Sequence, residues 1–218
     1  MALILDHAFI ITEPMAPEAK LLRNLGLVEG SSNTHPGQGT SNRRFFLDGF
    51  TIELLYISDY GEAENGTGRD LGILNRHRDS EASSFGIAVR ESDQSNTPAF
   101  PSWQYYPDFF SHLEDKDMCF YIGDNSSQLL EPLCFCMPLK LPKKTTVPEA
   151  YANPKWTLTK LLIDIPITEP SNALEHFLAI DMIQARFERP HKMTMIFNHG
   201  TDGQVVNLMP ELPLVLQW

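Results

Sequence analysis

The sequence predicts an α+β fold built from repeated βαβββ units. Three observations support this prediction. A strand, a short helix and further strands follow one another in residues 1–58. An Asp-Gly pair separates two apolar runs in the same region, as in a β-hairpin. The same order of elements recurs in residues 157–218. A recurrence of this kind indicates internal duplication.

The first unit, residues 1–58, opens with the apolar, β-rich run Leu3 to Ile11, which predicts a strand. Pro17 suits the first position of a helix, and Gly26 is a natural stop after it. A brief strand is expected near Leu27. Together with the hairpin that follows, these elements give the order β-α-β-β-β.

The hairpin spans residues 42–57 and turns at Asp48-Gly49. A two-residue turn at this pair fixes the register of the two strands. Counting back from the turn places Arg44 opposite Glu53, and opposed residues share one face of a sheet. The sequence therefore predicts that these two side chains are neighbours.

The C-terminal unit, residues 157–218, repeats the pattern with a strand, a helix that Ser171 can cap, and three further strands. Ile11-Thr12-Glu13-Pro14 also recurs as Ile167-Thr168-Glu169-Pro170, each time between the strand and the helix. This shared position favours duplication over chance.

The middle unit, residues 82–140, contains predicted strands but no evident helix. A charged connector, residues 58–83, precedes it, and a Lys/Pro-rich linker, residues 138–154, follows it. Within the unit, the stretch from Pro98 to Phe110 is rich in proline and aromatic residues. Such a stretch walls an apolar ligand pocket or simply covers a sheet face.

The composition argues against several classes of protein. The 218 residues carry a net charge of −11, which disfavours nucleic acid and anionic membranes as partners. No apolar run has the length of a membrane span, and residues 1–11 have the character of a strand and not of a signal peptide. Three cysteines cannot all pair, and Cys134 and Cys136 alternate along an apolar stretch, as buried residues of one strand face do. We expect a cytoplasmic protein.

Glu53 is the most informative residue, because it interrupts a strand that is apolar on both faces. A carboxylate in such a strand is costly unless it is paired, hydrogen-bonded or bound to a metal. One interpretation is an Arg44–Glu53 ion pair that only supports the sheet. The other is a pocket in which Glu53 is a general base or metal ligand, and Arg44 orients it or a bound anion.

His7 lies on the first strand, and simple alternation places it on the same face as Leu5, Phe9 and Ile11. It is either a hydrogen-bonded core residue or, if it faces Glu53, part of a site. The segment from His35 to Thr40 contains a short Gly-x-Gly, which is either a flexible loop or a binder of an anion or carbonyl through backbone N–H groups.

The sequence resembles glyoxalase-like members of the vicinal-oxygen-chelate superfamily, whose fold is the glyoxalase/bleomycin resistance/dioxygenase fold. The resemblance spans the chain and is densest over residues 3–57. The matching segments are Leu5-Asp6-His7-Ala8-Phe9, His35-Pro36-Gly37-Gln38-Gly39-Thr40, Asn42-Arg43-Arg44-Phe45-Phe46, Ile52-Glu53-Leu54-Leu55, Phe85-Gly86-Ile87-Ala88, Pro101-Ser102-Trp103-Gln104-Tyr105 and Pro213-Leu214-Val215-Leu216-Gln217-Trp218.

The resemblance implies that pairs of units form curved mixed or antiparallel sheets, an open barrel, with helices on the outside and a cupped site inside. It also implies that a divalent metal ion is held by a His on the first strand and a Glu on the fourth, repeated in the partner unit. His7 and Glu53 match the first pair, but the second pair is missing. Two protein ligands are fewer than the three or four of stable sites.

The expected function is that of a glyoxalase-like enzyme, a lyase or isomerase acting on an oxygenated small metabolite in a pocket on the concave sheet. Glu53, His7 and Arg44 are the candidate catalytic residues; Gln38, Asn42, Trp103 and Tyr105 are the candidate ligand-binding residues. The alternatives are a non-catalytic protein that binds or sequesters a small molecule, and a structural or dimerisation module. A homodimer is a further expectation.

Overall fold

In this computed structural model, the described residues are 3–77, 80–91, 97–115, 117–139 and 148–218. Most of the Lys/Pro linker, including Lys140, Lys143 and Lys144, lies outside them. The strands are β1 (Leu3–Ile11), β2 (Asn33–His35), β3 (Thr40–Asp48), β4 (Thr51–Ile57), β5 (Phe85–Glu91), β6 (Ser102–Tyr105), β7 (Phe120–Gly123), β8 (Leu133–Cys136), β9 (Ala152–Asp164), β10 (Ile183–Arg186), β11 (Lys192–Phe197), β12 (Val205–Asn207) and β13 (Leu214–Gln217). The helices are α1 (Ala19–Asn24), α2 (Tyr60–Asn65) and α3 (Asn172–Leu178), together with short 3₁₀ turns.

All of these strands belong to one mixed sheet that is curved and not closed, so the predicted α+β fold class is confirmed. The first and middle units pair at its centre, where β1 and β5 run antiparallel. On one side the strand order from the centre is β1-β4-β3-β2, and on the other side it is β5-β8-β7-β6. In both halves the first strand pairs parallel with the fourth. The two halves therefore share one topology.

The β3–β4 hairpin has the predicted register. Arg44 pairs with Glu53 across the two strands, as the two-residue turn required. Gly49 in the turn has a φ of 73°, a left-handed conformation that glycine adopts without the steric cost of a Cβ. This turn chemistry made the hairpin the most predictable element of the chain.

The C-terminal strands extend the same sheet beyond the hairpin. The start of β9 pairs parallel with the end of β3, with Phe46 opposite Ala152. β9 therefore begins five residues before the predicted Thr157, inside the expected linker. Beyond it, β11 pairs antiparallel with β9, and β13 pairs parallel with β11. The division of the chain into three modules stays a prediction.

Helix α3 covers the outer face of the middle unit, whose described residues contain no α-helix between β5 and β6. The ring of Phe177 on α3 meets that of Phe100 edge-on, with centroids 5.1 Å apart. Glu131, which precedes β8, accepts hydrogen bonds from the backbone N–H (2.7 Å) and hydroxyl (2.6 Å) of Ser171, the N-cap of α3. The C-terminal segment thus supplies a helix that the middle unit lacks.

One sequence expectation was wrong, and two elements were not predicted. Leu27 is not in a strand, and the strand after α1 is instead β2, within the polar segment that follows. The charged connector contains α2, with Asp59 as its N-cap. The Pro/aromatic stretch contains the edge strand β6. No helix among the described residues has the length and apolar character needed to cross a membrane.

Candidate functional site

A cavity of about 1340 Å³ lies on the face of the sheet opposite α1 and α3. Alternation along the strands separates the two faces. Ile10 and Leu54 point into the main core, where they pack with residues of both helices. Phe9, Glu53 and Leu55 point the other way and line the cavity. The inner face of the paired first and middle units therefore forms the cavity floor.

His7 reaches this cavity because it shares a face of β1 with Phe9 and Ile11, as alternation predicts, whereas a bulge turns Leu5 to the other face. The pairing of β1 with β5 shifts between Leu5 and His7, so that Leu5 packs into the main core. The expectation that these two residues share a face was wrong. His7 is 8% exposed and lines the cavity, and the parallel pairing of β1 with β4 places Phe9 beside Glu53.

The carboxylate of Asp6 contacts the imidazole ring of His7. Its Nδ1 lies 2.8 Å from Oδ1 of Asp6, and Asp6 also accepts a hydrogen bond from Arg90. Burial acts to lower the pKa of His7, but Glu53 and Asp6 outweigh it, so the pKa is raised. For Asp6, burial acts to raise the pKa, yet His7 and Arg90 bring it down to about 2. The imidazolium form of His7 is therefore favoured, with Nδ1 engaged by Asp6.

Asp6→Asn is expected to lower the free energy of unfolding at neutral pH by about 2 kcal/mol. Because the folded pKa of Asp6 lies near 2, below the usual 3.8, its stabilisation is complete above about pH 4 and is lost as the pH falls towards 2. Urea unfolding across this range measures it. The variant should lack this part of the acid-dependent loss, whereas Asp70→Asn, at a side chain 69% exposed, should retain it. If the free energies of unfolding of wild type and Asp6→Asn varied with pH in parallel, Asp6 would not be the source of this acid-dependent loss.

Glu53 is half-buried in mid-β4 and lines the cavity. Its Oε2 accepts a hydrogen bond from Nδ2 of Asn42 at 3.1 Å. Asn42 does not itself line the cavity, and its Oδ1 accepts the backbone N–H of Asn33 at 2.8 Å. Asn42, predicted to bind ligand, therefore orients Glu53 and ties it to β2.

Arg44 lines the cavity beside Glu53 but, among the described residues, forms no ion pair with it. Its Nε donates to the carbonyl of Ser31 (2.7 Å), and one Nη donates to the Ser31 hydroxyl and to Oδ1 of Asn33. The ring of Phe46 lies 5.0 Å from the guanidinium carbon. The predicted register is confirmed, but the simple ion pair is replaced by a guanidinium that neutral oxygens hold at the cavity wall.

Sequence reasoning missed the side chain of His35, because the segment was judged for its backbone N–H groups. β2 places the imidazole in the cavity, where Nδ1 lies 2.9 Å from the hydroxyl of Thr40. Burial lowers the pKa of His35; Glu53 opposes this effect, whereas Arg44 and His7 add to it. The neutral imidazole is favoured. The cavity thus combines a histidine with a raised pKa and one with a lowered pKa near one carboxylate.

An arc of four phenylalanine rings connects the two histidines. His35 contacts Phe109 (ring centroids 5.2 Å apart), Phe109 contacts Phe120 (6.3 Å), Phe120 contacts Phe135 (6.2 Å), and Phe135 contacts His7 (5.4 Å). Phe110 stacks on Phe120 at 5.4 Å. We call Phe109, Phe110, Phe120 and Phe135 the aromatic arc. The aromatic arc makes one wall of the cavity apolar.

The remaining predicted ligand-binding residues divide into two groups. Gln38 and Tyr105 line the cavity, and the Tyr105 hydroxyl donates to Oε1 of Gln38 at 3.2 Å. Burial raises the pKa of Tyr105 to about 12, so the phenol stays protonated. Trp103 lies outside the lining, where its indole N–H donates to the hydroxyl of Ser126 at 3.2 Å. The structure therefore brings Gln38 and Tyr105 to the site, but not Trp103.

The metal site implied by the resemblance does not fit the residues present. Nowhere in the described parts of the chain do three His, Cys, Asp or Glu side chains group so that they could hold an ion. His7 and Glu53 alone fall short of the three ligands usual in a catalytic site, and Nδ1 of His7 is engaged by Asp6.

The fold and the cavity together define an α+β protein with a large cavity on one face of an open, curved sheet. No family model matches the sequence, and the search of curated proteins found no significant match. A hypothetical protein from Staphylococcus aureus has a similar structure, with a TM-score of 0.59 and 12% identity over 100% of this chain and 98% of that one. This likeness shows the fold alone.

Methylmalonyl-CoA epimerase from Mycobacterium tuberculosis also matches, over 64% of this chain and 89% of that one, with 14% identity and a TM-score of 0.37. This similarity is too slight to carry an argument.

Proposed function

We propose that the cavity binds an oxygenated small molecule and that Glu53 removes a proton from a carbon beside its carbonyl group, in a lyase or isomerase reaction. One observation carries the proposal. The carboxylate of Glu53 lines a cavity that also receives His7, His35 and Arg44, and one wall of this cavity is apolar. Perturbed titratable groups that converge in a large apolar cavity are typical of an active site.

Each polar residue has a distinct part in this reaction. Glu53 takes the proton of a C–H bond, and the electron pair of that bond moves towards the adjacent carbonyl oxygen. Arg44 stabilises the negative charge that develops on this oxygen. In an isomerase the proton returns to a neighbouring atom; in a lyase the electron pair expels a leaving group. Burial acts to lower the pKa of His7, but the charge of Glu53 helps to raise it, so His7 is a second ionisable group close to the base.

Exchange of carbon-bound protons with solvent tests this proposal without knowledge of the natural substrate. We expect the protein to catalyse deuterium incorporation from D₂O into some members of a panel of 2-oxo acids, hydroxyketones and aldehydes. Proton NMR measures the incorporation as the loss of the C–H signal. Glu53→Gln should abolish this exchange, because an amide cannot accept the proton. Retained exchange in this variant would refute Glu53 as the base.

Glu64→Gln is the matched control, because it makes the same change at an exposed site on α2. It should exchange at the wild-type rate. Binding of the fluorescent probe anilinonaphthalene sulfonate, an aromatic sulfonate, serves as a check that the cavity of Glu53→Gln is intact. We expect this binding within about threefold of wild type, since the two side chains differ little in volume.

A non-catalytic binding protein is the second candidate, and the aromatic arc favours it. Four adjacent phenylalanine rings offer contact area to an apolar ligand but no group that reacts with it. This function predicts tight probe binding, no exchange with any compound of the panel, and equal affinities for wild type and Glu53→Gln. The same two measurements therefore separate the enzyme from the binding protein.

A further inference from the structure

We infer that the ligand of this cavity is an amphipathic monoanion, a carboxylate attached to a large apolar body, with the carboxylate at Arg44 and the body against the aromatic arc. This inference rests on the proposed binding of a small molecule in the cavity, and it adds the chemical class of that molecule. It does not depend on whether Glu53 is a base.

The two arginines that line the cavity differ in their partners. Arg90 is paired with Asp6. Arg44 has no carboxylate within ion-pair distance among the described residues, although the charge of Glu53, its neighbour across the strand pair, acts on it. Its hydrogen-bond partners are the carbonyl and hydroxyl of Ser31 and the amide oxygen of Asn33, all of which are neutral.

The guanidinium of Arg44, which lines the cavity, is only partly hydrogen-bonded. Nε and one Nη are engaged by Ser31 and Asn33, whereas the other Nη has no partner in the described residues. Phe46 lies against the guanidinium at 5.0 Å. An arginine held in this way is preorganised, so it loses little side-chain entropy when it binds a carboxylate. An anion is the ligand group that this arrangement recognises.

The net negative charge of the chain restricts anion binding to places where a local cation is present. A net charge of −11 repels anions from the surface in general. An anion therefore gains from binding only where a fixed cation compensates that repulsion and where apolar contacts add to the affinity. Both conditions meet in this cavity.

The apolar part of the cavity sets the size of the ligand body. Besides the aromatic arc, the lining includes Leu71, Ile73, Ile122, Leu133 and Met137. A volume of about 1340 Å³ exceeds what a short metabolite fills. A two- or three-carbon acid would leave most of this surface in contact with water, whereas an octyl or phenylbutyl body would cover more of it. Each buried methylene adds about 0.8 kcal/mol.

Isothermal titration calorimetry with matched acids and alcohols tests the inference on the whole chain. Octanoate should bind about tenfold more tightly than octanol, and phenylbutanoate more tightly than phenylbutanol by a similar factor, because only the acids meet Arg44. Acetate should bind at least about a hundredfold more weakly than octanoate. Equal affinities for acid and alcohol, or for acetate and octanoate, would overturn the inference.

Variants test which residues bind the carboxylate of the ligand and which bind its apolar body. Arg44→Met should bring the affinity ratio of acid to alcohol close to one. Arg23→Met, which removes the same charge from a side chain 51% exposed on α1, should preserve the ratio. Phe120→Ala should weaken acid and alcohol alike, by about fivefold or more. If Arg44→Met does not fold, the ratio of acid to alcohol affinity in the wild type still tests the inference. This ratio should decrease with added salt.

The failure of this inference and that of the proposed reaction are distinguishable. Tight binding of octanoate without any proton exchange would support the ligand class and remove the catalytic role of Glu53. Proton exchange on neutral ketones that octanoate does not inhibit would support the reaction and overturn the ligand class.

Discussion

Arg76→Met is expected to lower the free energy of unfolding by about 3 to 5 kcal/mol. Arg76 is fully buried, with 0% exposure, although it lies in the charged connector. Its guanidinium donates to the carbonyls of Ser83 (3.2 Å), Ser126 (3.2 Å) and Glu131 (2.5 Å). Methionine fills similar space but donates no hydrogen bond, so buried carbonyls would lose their partner.

The charge state of Arg76 also supports a structural role for this side chain. Burial lowers its pKa to about 10, and Cys134 and Glu131 oppose this shift. The side chain therefore stays charged at neutral pH, and it joins the connector to the loop before β8. Urea unfolding measures the loss. Arg69→Met is the control, because Arg69 lies in the same connector with its side chain 65% exposed; we expect a change within about 0.5 kcal/mol. A loss below about 1 kcal/mol in Arg76→Met would contradict the structural role.

The connector, residues 58–83, shows why the sequence did not predict part of the fold. Charged residues normally indicate a solvated segment, and only the tertiary carbonyls around Arg76 reveal the contrary. The helix α2 within it had a local signal that was overlooked. Asp59 accepts the backbone N–H of Glu62 at 3.0 Å, an N-cap contact. A short polar helix without an apolar stripe gives no periodic pattern to support such a cap.

The candidate site was predictable wherever it depended on local rules. Turn chemistry at Asp48-Gly49 gave the Arg44–Glu53 register, and a carboxylate within an apolar strand marked Glu53 as a candidate. Alternation placed His7 with Phe9, whereas the departure of Leu5 from that face depends on a bulge that no local residue signals. His35 and the aromatic arc come together through the pairing of the first and middle units. Contacts of this kind depend on topology, which a single sequence specifies only weakly.

The pairing of units also explains where the C-terminal segment goes. The first and middle units complete an eight-stranded arrangement around the cavity, so the third unit is left to extend the sheet. Its helix α3 then meets the outer face of the middle unit. Glu131, which precedes β8, binds the N-cap of α3 and so ties the two segments together.

Phe177→Ala is therefore expected to destabilise the middle unit as well as α3, by about 3 to 5 kcal/mol in total. Phe177 is fully buried and meets Phe100 across the boundary between the two segments. Because α3 covers β8, its loss would expose Cys134 and Cys136, which are buried on the same side. Burial raises the pKa of the Cys136 thiol to about 12 and raises that of Cys134 as well, so both are unreactive in the native protein.

Thiol labelling during urea unfolding tests this coupling directly. In Phe177→Ala, both cysteines should react with a thiol reagent at the urea concentration at which the helical circular dichroism of the chain is lost. His176→Ala, at an exposed position of the same helix, should unfold within about 0.5 kcal/mol of wild type. If Phe177→Ala loses helix α3 while the cysteines stay protected, the middle unit is stable without that helix. A single transition in both signals, shifted to lower urea, means instead that the cover supplied by α3 is part of the cooperative core that holds the cavity in shape.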